Sequence, residues 1–205
     1  MELLNIFTDF LVVDNLQVDL DKLNEDVLHY KEKTPTTPEV MTNRGGYQSP
    51  PIDYDVVKKD YETFPLLFNE LNEKLLTISR NLSFNETPEG TICLGNSWIN
   101  VNNKNHYNTT HSHPMSYLSG VVYLKVPKVS GNIHFMRPRV FTDYAMTHVL
   151  TGNNSAYNGY YYTHQPKEGQ IVIFPSYLDH EVGISNSEDN RVTIAFNTIN
   201  LDLKV

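Results

Sequence analysis

Three histidines and one arginine carry the chemistry this sequence could do. His111 and His113 stand two residues apart in His111-Ser112-His113-Pro114, and His180 and Arg191 follow far downstream. In an extended segment, side chains at i and i+2 point to the same face. His111 and His113 can therefore aim two imidazoles at one point, and His180 can supply a third nitrogen. Arg191 opens the strand-like run Arg191-Val192-Thr193-Ile194-Ala195-Phe196-Asn197. An arginine facing an interior is costly unless it meets an anion, and its planar fork matches a carboxylate through two hydrogen bonds. Thr193 shares the face of Arg191. Together these residues point to a metal centre that also holds a carboxylate.

Imidazole suits Fe, Zn, Cu and Ni, so ligand type alone does not name the metal. A triad of two histidines and one carboxylate would have Asp or Glu at position 113, where this chain has histidine. Asp179 and Glu181 flank His180, but neighbours on a strand point away from its face. Three neutral imidazoles would leave a divalent ion with its full charge. A dianionic chelating cosubstrate would neutralise it, and resting metal affinity would be weakened. His29, His106, His134, His148 and His164 have no comparable partner pattern, although His164 belongs to a stretch that could overhang the site. The competing reading of Arg191 is a surface pair with the acidic Ser187-Glu188-Asp189 turn, worth ~0–1 kcal/mol.

The elements that must position these groups change character along the chain. From Asp14 to Lys33, Leu16, Leu20, Leu23, Val27 and Tyr30 follow helical spacing, with acids early and lysines late, an order that suits the helix dipole. Two prolines between Thr34 and Pro38 stop this helix, and Asn43 to Pro51 is a loop by composition. Phe64 to Leu82 gives the clearest helical rhythm, through Phe68, Leu71, Leu75, Ile78 and Leu82. After Gly90 the period becomes two. Strands are expected over 91–94, 97–102, 116–126, 132–135, 170–174, 181–184 and 192–197. The stretch from Arg137 to Gln165 is polar and tyrosine-rich, and a loop of that length is more often functional than idle. Its tyrosines, Tyr157 and Tyr160 to Tyr162, could stack on a substrate or pack the loop down.

The 205 residues are expected to form one domain, with a helical support region over 1–90 and a β core over 91–200. Two helices followed by seven or eight strands suit a mainly β fold with flanking α-helices, a jelly-roll or cupin-like double sheet. The formal charge of −8 argues against nucleic acid as a partner. The single cysteine, Cys93, sits in an apolar stretch and reads as a small core residue in a reducing, cytoplasmic setting. The start lacks a basic leader and reads as a first strand. No apolar run approaches the ~18 residues of a membrane span, so no membrane partner is expected. A homodimer is compatible with the sequence, and oligomeric state is open.

These residues resemble the 2-oxoglutarate- and Fe(II)-dependent oxygenases related to prolyl 4-hydroxylase. The resemblance is carried by Trp98 to Asn102, His111 to Pro114, Ser119 to Leu124, Arg137-Pro138-Arg139, Glu168 to Val182 and Arg191 to Asn197, with Asn43 to Ser49 also similar. It implies a double-stranded β-helix with Fe(II) at its open mouth and 2-oxoglutarate as cosubstrate. It makes His111 and His180 ligands, and puts His113 where most relatives place Asp. It gives Arg191 the distal carboxylate of 2-oxoglutarate, with Thr193 beside it and Tyr123 hydrogen-bonded to the same group, and Asn100 at the cosubstrate's other end. No catalytic side chain is expected beyond the metal ligands. The implied activity is that of a hydroxylase releasing succinate and CO₂ from an unidentified small-molecule or peptidyl substrate, with the loop over 141–165 as a lid. Two alternatives stand beside it: a three-histidine dioxygenase that does not use 2-oxoglutarate, and a non-catalytic cupin-like binding or viral structural module.

Overall fold

A computed structural model describes residues 9–37, 42–82, 92–138 and 159–200. Within these, the elements run β1 (Val12–Asn15), α1 (Leu20–Lys33), β2 (Asn43–Arg44), β3 (Tyr47–Gln48), α2 (Tyr54–Asp60) and α3 (Thr63–Asn81). Then follow β4 (Ile92–Asn102), β5 (Tyr107–His111), β6 (Leu118–Lys125), β7 (Ile133–Met136), β8 (Tyr161–His164), β9 (Gln170–Pro175), β10 (His180–Val182) and β11 (Arg191–Asn200). They form two antiparallel sheets. The larger has the order β1-β9-β6-β11-β4-β3 and the smaller β2-β5-β10-β7-β8.

The helices cover one face of the larger sheet, and strand alternation decides what faces them. Ile99 and Val101 of β4, Val122 and Leu124 of β6, Ile171 and Ile173 of β9, and Val192, Ile194 and Phe196 of β11 join Phe64, Leu67, Leu71 and Leu75 of α3 in one buried cluster. The period of two then turns the intervening residues the other way. Tyr123, Val172 and Phe174 meet Ile133 and Phe135 of β7 in a second cluster between the sheets. Trp98, Asn100, Arg191 and Thr193 also take the inward side, and line a cavity there. The helices thus fix which residues of β4, β6 and β11 look into the cavity.

Several expected boundaries move. α1 begins at Leu20, because Asp14 lies in β1 and Asp19 caps the helix by accepting from the Lys22 amide at 3.0 Å. Leu16 and Val18 still pack on the core, from the connecting segment. The two strands expected over 91–102 form the single long β4. α2 is an additional helix, started by Asp53, which accepts from the Asp55 and Val56 amides. β2 and β3 lie in the expected 43–51 loop and join opposite sheets, β2 to β5 and β3 to β4. Of the long polar stretch, residues 161–164 form β8 on the edge of the smaller sheet. Residues 139–158, with Tyr157, lie outside the described residues, as does the beginning of the chain before Asp9. No helix among the described residues is long and apolar enough to cross a membrane.

Candidate metal centre

β10 and β5 pair antiparallel, with His180 directly opposite His111. The two ring centroids are 4.3 Å apart. His113 lies beyond the end of β5, so strand alternation is not what aims it inward. Its amide donates to the Ser176 carbonyl at 2.9 Å, and Ser176 is held in turn by Ser119, Oγ to Oγ at 2.8 Å. That hook folds the chain back, and the His113 ring comes to 5.0 Å from His111 and 5.1 Å from His180. One ligand nitrogen from each ring falls within 4.8 Å of the other two.

The hydrogen bonds select the nitrogen that faces the cavity. His111 Nδ1 donates to the Thr109 carbonyl at 2.7 Å, and His180 Nδ1 to the Leu178 carbonyl at 2.9 Å. A proton fixed on Nδ1 leaves the Nε2 lone pair free for a metal. Burial lowers the pKa of all three rings; neighbouring rings add to this for His113, brought down to about 4, and His180, brought down to about 3, while at His111 the Thr109 carbonyl and the Asp179 carboxylate oppose it. The rings are therefore neutral at physiological pH, the state a metal ligand needs. Phe135 and Phe174 pack on His180, and Trp98 on His113. Neither flanking carboxylate joins the cluster. Glu181 accepts from the Thr110 hydroxyl at 2.8 Å, and Asp179 is exposed.

Arg191 is only 4% exposed. It does not pair with the 187–189 turn, where Lys104 takes Glu188 instead. Nη1 donates to the Ser130 and Gly131 carbonyls at 3.2 and 3.4 Å, and Nη2 to Asn102 Oδ1 at 3.4 Å. Its Nε is buried with no hydrogen-bond partner. Arg191 lines the same cavity as the three histidines, a space of about 530 Å³. Register places Thr193 between Asn100 of β4 and Tyr123 of β6, so these three form a row across the sheet beside Arg191. Burial raises the Tyr123 phenol to about 12 and lowers the Arg191 guanidinium from its ordinary value.

Asn43 and Asn102 complete the site and were not singled out by sequence pattern. Asn102 Nδ2 donates to Asn43 Oδ1 at 2.9 Å, and Asn43 Nδ2 donates to Asn100 Oδ1 at 3.4 Å. Arg191 is thereby tied through two buried amides to Asn100. The signal available for this chain was the Gly45-Gly46 pair. A Cβ on Gly46 would lie 2.5 Å from Asn102 Nδ2 and 2.7 Å from Asn43 Oδ1, so only glycine lets the amides meet.

Residues 96–197 match the family model described as "Putative 2OG-Fe(II) oxygenase". Over these residues the chain belongs to this family. It is an oxidoreductase of the 2-oxoglutarate- and Fe(II)-dependent class, and its fold is a double-stranded β-helix flanked by helices. The fold is similar to a Pseudomonas putida prolyl-4-hydroxylase, with 14% identity, a TM-score of 0.65 and 94% of each chain covered. A prolyl hydroxylase from Trichoplax adhaerens, in complex with a hypoxia inducible factor oxygen degradation domain peptide fragment, aligns at 12% identity with a TM-score of 0.61. That alignment covers 93% of this chain and 83% of the other. HygX from Streptomyces hygroscopicus, with nickel and 2-oxoglutarate bound, aligns at 12% identity with a TM-score of 0.58, over 94% and 83% of the two chains. At these identities the likeness is one of fold. No curated protein matches the chain. The donor set of this oxygenase fits its cofactors: three neutral imidazoles suit Fe(II), and a buried arginine with an unpaired Nε suits a carboxylate.

Proposed function

We propose that this oxygenase is a hydroxylase in which His111, His113 and His180 hold Fe(II) and Arg191 anchors 2-oxoglutarate. When bound, the pair supplies the oxidising chemistry: substrate R–H, O₂ and 2-oxoglutarate become R–OH, succinate and CO₂. The chain's own residues bind, orient and exclude water. His111 and His180 would take the ion through Nε2, and His113 would supply the third imidazole nitrogen. Arg191 receives the distal carboxylate, with the Tyr123 hydroxyl as a further donor and Thr193 between them. Asn100, braced by Asn43, steadies the cosubstrate's other end. Phe135, Phe174 and Trp98 keep the wall beside the ligands apolar, which strengthens every charge interaction inside it.

The observation that carries this reading is the buried, half-satisfied guanidinium of Arg191 in one cavity with three converging imidazoles. A three-histidine dioxygenase without 2-oxoglutarate, or a non-catalytic jelly roll, has no use for that cation. The single domain, a cytoplasmic setting and the absence of a nucleic-acid partner belong to the same reading, supported by one compact β core, the lone Cys93 and the acidic surface. Calorimetry of 2-oxoglutarate binding to the Co(II)-loaded protein tests the assignment. Arg191→Ala removes charged hydrogen bonds worth about 1.5–3 kcal/mol, so affinity should fall at least about tenfold. Unchanged affinity would refute the assignment.

A further inference from the structure

Resting on the hydroxylase reading, we propose that the substrate is a neutral saccharide, held with one sugar ring against Trp98 and its hydroxyls on the amides of Gln48, Asn96 and Asn108. The cavity extends past the groups assigned to the metal and 2-oxoglutarate. Along β4, Asn102 stands opposite Arg191 and Asn100 opposite Thr193, and the same face continues through Trp98 to Asn96. At ~3.4 Å per residue the row from Asn102 to Asn96 is roughly 20 Å long. 2-Oxoglutarate reaching from Arg191 to the histidines leaves the Trp98 and Asn96 end open to a second molecule.

The lining of that end selects the chemistry. Arg191 is the one charged side chain lining the cavity among the described residues. The Asp179 carboxylate, whose field reaches His111, is exposed and lies outside the lining. With Arg191 taken by 2-oxoglutarate, a charged substrate would lose hydration without gaining a counter-charge. The amides near Arg191 bond to one another, Asn102 to Asn43 and Asn43 to Asn100. Those of Gln48, Asn96 and Asn108 have no side-chain hydrogen bond to another described residue, so they are open to a ligand. Each offers donors and an acceptor, which a sugar hydroxyl answers with both. A prolyl or alkyl substrate would desolvate these amides and satisfy none of them. Trp98 supplies a plane: its ring packs 5.8 Å from that of His113, and the negative face of its π-system attracts the C–H groups on a sugar face. Asn108 is turned inward by a bulge. His180 pairs with His111 and Val182 with Asn108, so Glu181 alone opposes both Thr109 and Thr110. That extra residue lets Asn108 and His111 line one cavity, which simple alternation forbids.

Trp98 is the chain's single tryptophan, so its fluorescence reports on this subsite directly. The protein loaded with Fe(II) and 2-oxoglutarate is titrated without oxygen with glucose, galactose, mannose, maltose, cellobiose and lactose. Glucosamine, glucuronate and an N-acetylated, C-amidated prolyl dipeptide are the comparison probes. The proposal predicts a saturable change with at least one neutral sugar, binding weaker by about tenfold or more for the charged sugars, and no change with the capped peptide. On admission of O₂, the same neutral sugar should raise succinate release above the sugar-free rate. Asn108→Leu should weaken sugar affinity about threefold to tenfold, the loss of one neutral hydrogen bond, while 2-oxoglutarate affinity holds. Asn96 is exposed, so Asn96→Ala gives the same comparison in a protein whose packing is untouched. Tighter binding of the capped peptide than of any sugar overturns the proposal, as does full sugar affinity in both variants. A protein that binds Fe(II) and 2-oxoglutarate but none of these sugars overturns the substrate class alone. One that binds no 2-oxoglutarate overturns the hydroxylase reading with it.

Discussion

At the scale of single residues, the fold holds His113 and His180 as neutral rings, and this has a stability consequence. Both rings titrate near 6.5 when unfolded, but near 4 and 3 in the fold. Between those values the unfolded chain binds more protons than the native one, so stability is lost as pH falls below 6.5. The loss approaches about 1.4 kcal/mol per pH unit for each ring and is complete only below the folded values. The melting temperature of the metal-free protein should drop from pH 7 to pH 4.5, and much less so in a His113→Gln/His180→Gln double variant. Parallel profiles for the two proteins would contradict the account. Tyr123 gives a second prediction. Its buried phenol stays protonated and able to donate, so Tyr123→Phe should weaken 2-oxoglutarate binding by about 0.5–1.5 kcal/mol in calorimetry and leave Co(II) binding alone unchanged. His111 and His113 were legible as a pair two residues apart, and Arg191 because a charged residue is conspicuous at the head of an apolar strand-like run. Asn43 and Asn102 were not, since Asn43 falls in a stretch that reads as a loop by composition and Asn102 reads as the end of a strand, and neither reads as a buried brace.

At the scale of elements, the site depends on close approaches that glycine permits. Gly46→Ala should separate the Asn43–Asn102 pair and release Arg191 from its brace. Metal affinity should then hold, while 2-oxoglutarate affinity falls several-fold in the same calorimetry. Gly131 sits at φ +89°, where a Cβ would lie 2.2 Å from the Gly183 carbonyl oxygen, and its own carbonyl accepts from Arg191. The strands of the larger sheet were legible because both their faces are buried, which gives dense runs such as Ile171-Val172-Ile173-Phe174. β5 was missed for the opposite reason. Tyr107-Asn108-Thr109-Thr110-His111 has polar residues on the side that lines the cavity, so alternation vanishes where function needs it. α2 is seven residues long, too short for a periodic signal.

At the scale of the molecule, the helical layer and the site sit on opposite faces of the same sheet. Ile194 and Val192 join the helix–sheet core, while Thr193 and Arg191 face the cavity. Leu71 of α3 is fully buried in the helix–sheet cluster. Leu71→Ala should cost about 2–5 kcal/mol of stability in chemical unfolding, yet leave the Co(II) affinity of the folded protein unchanged. The class of fold followed from the switch between helical and alternating periods. The pairing of His180 with His111 did not, because it is set by non-local strand order and by the register of β5 on β10, which no local pattern encodes.

The most direct test of the central claim is an anaerobic titration with Fe(II), with and without 2-oxoglutarate, followed by the visible charge-transfer absorption of the iron–2-oxo acid chelate. The account predicts a band that needs both components, saturates at one equivalent of each, and is absent from His180→Ala. A wild-type protein with no band, or a His180→Ala protein with an unchanged one, would contradict it.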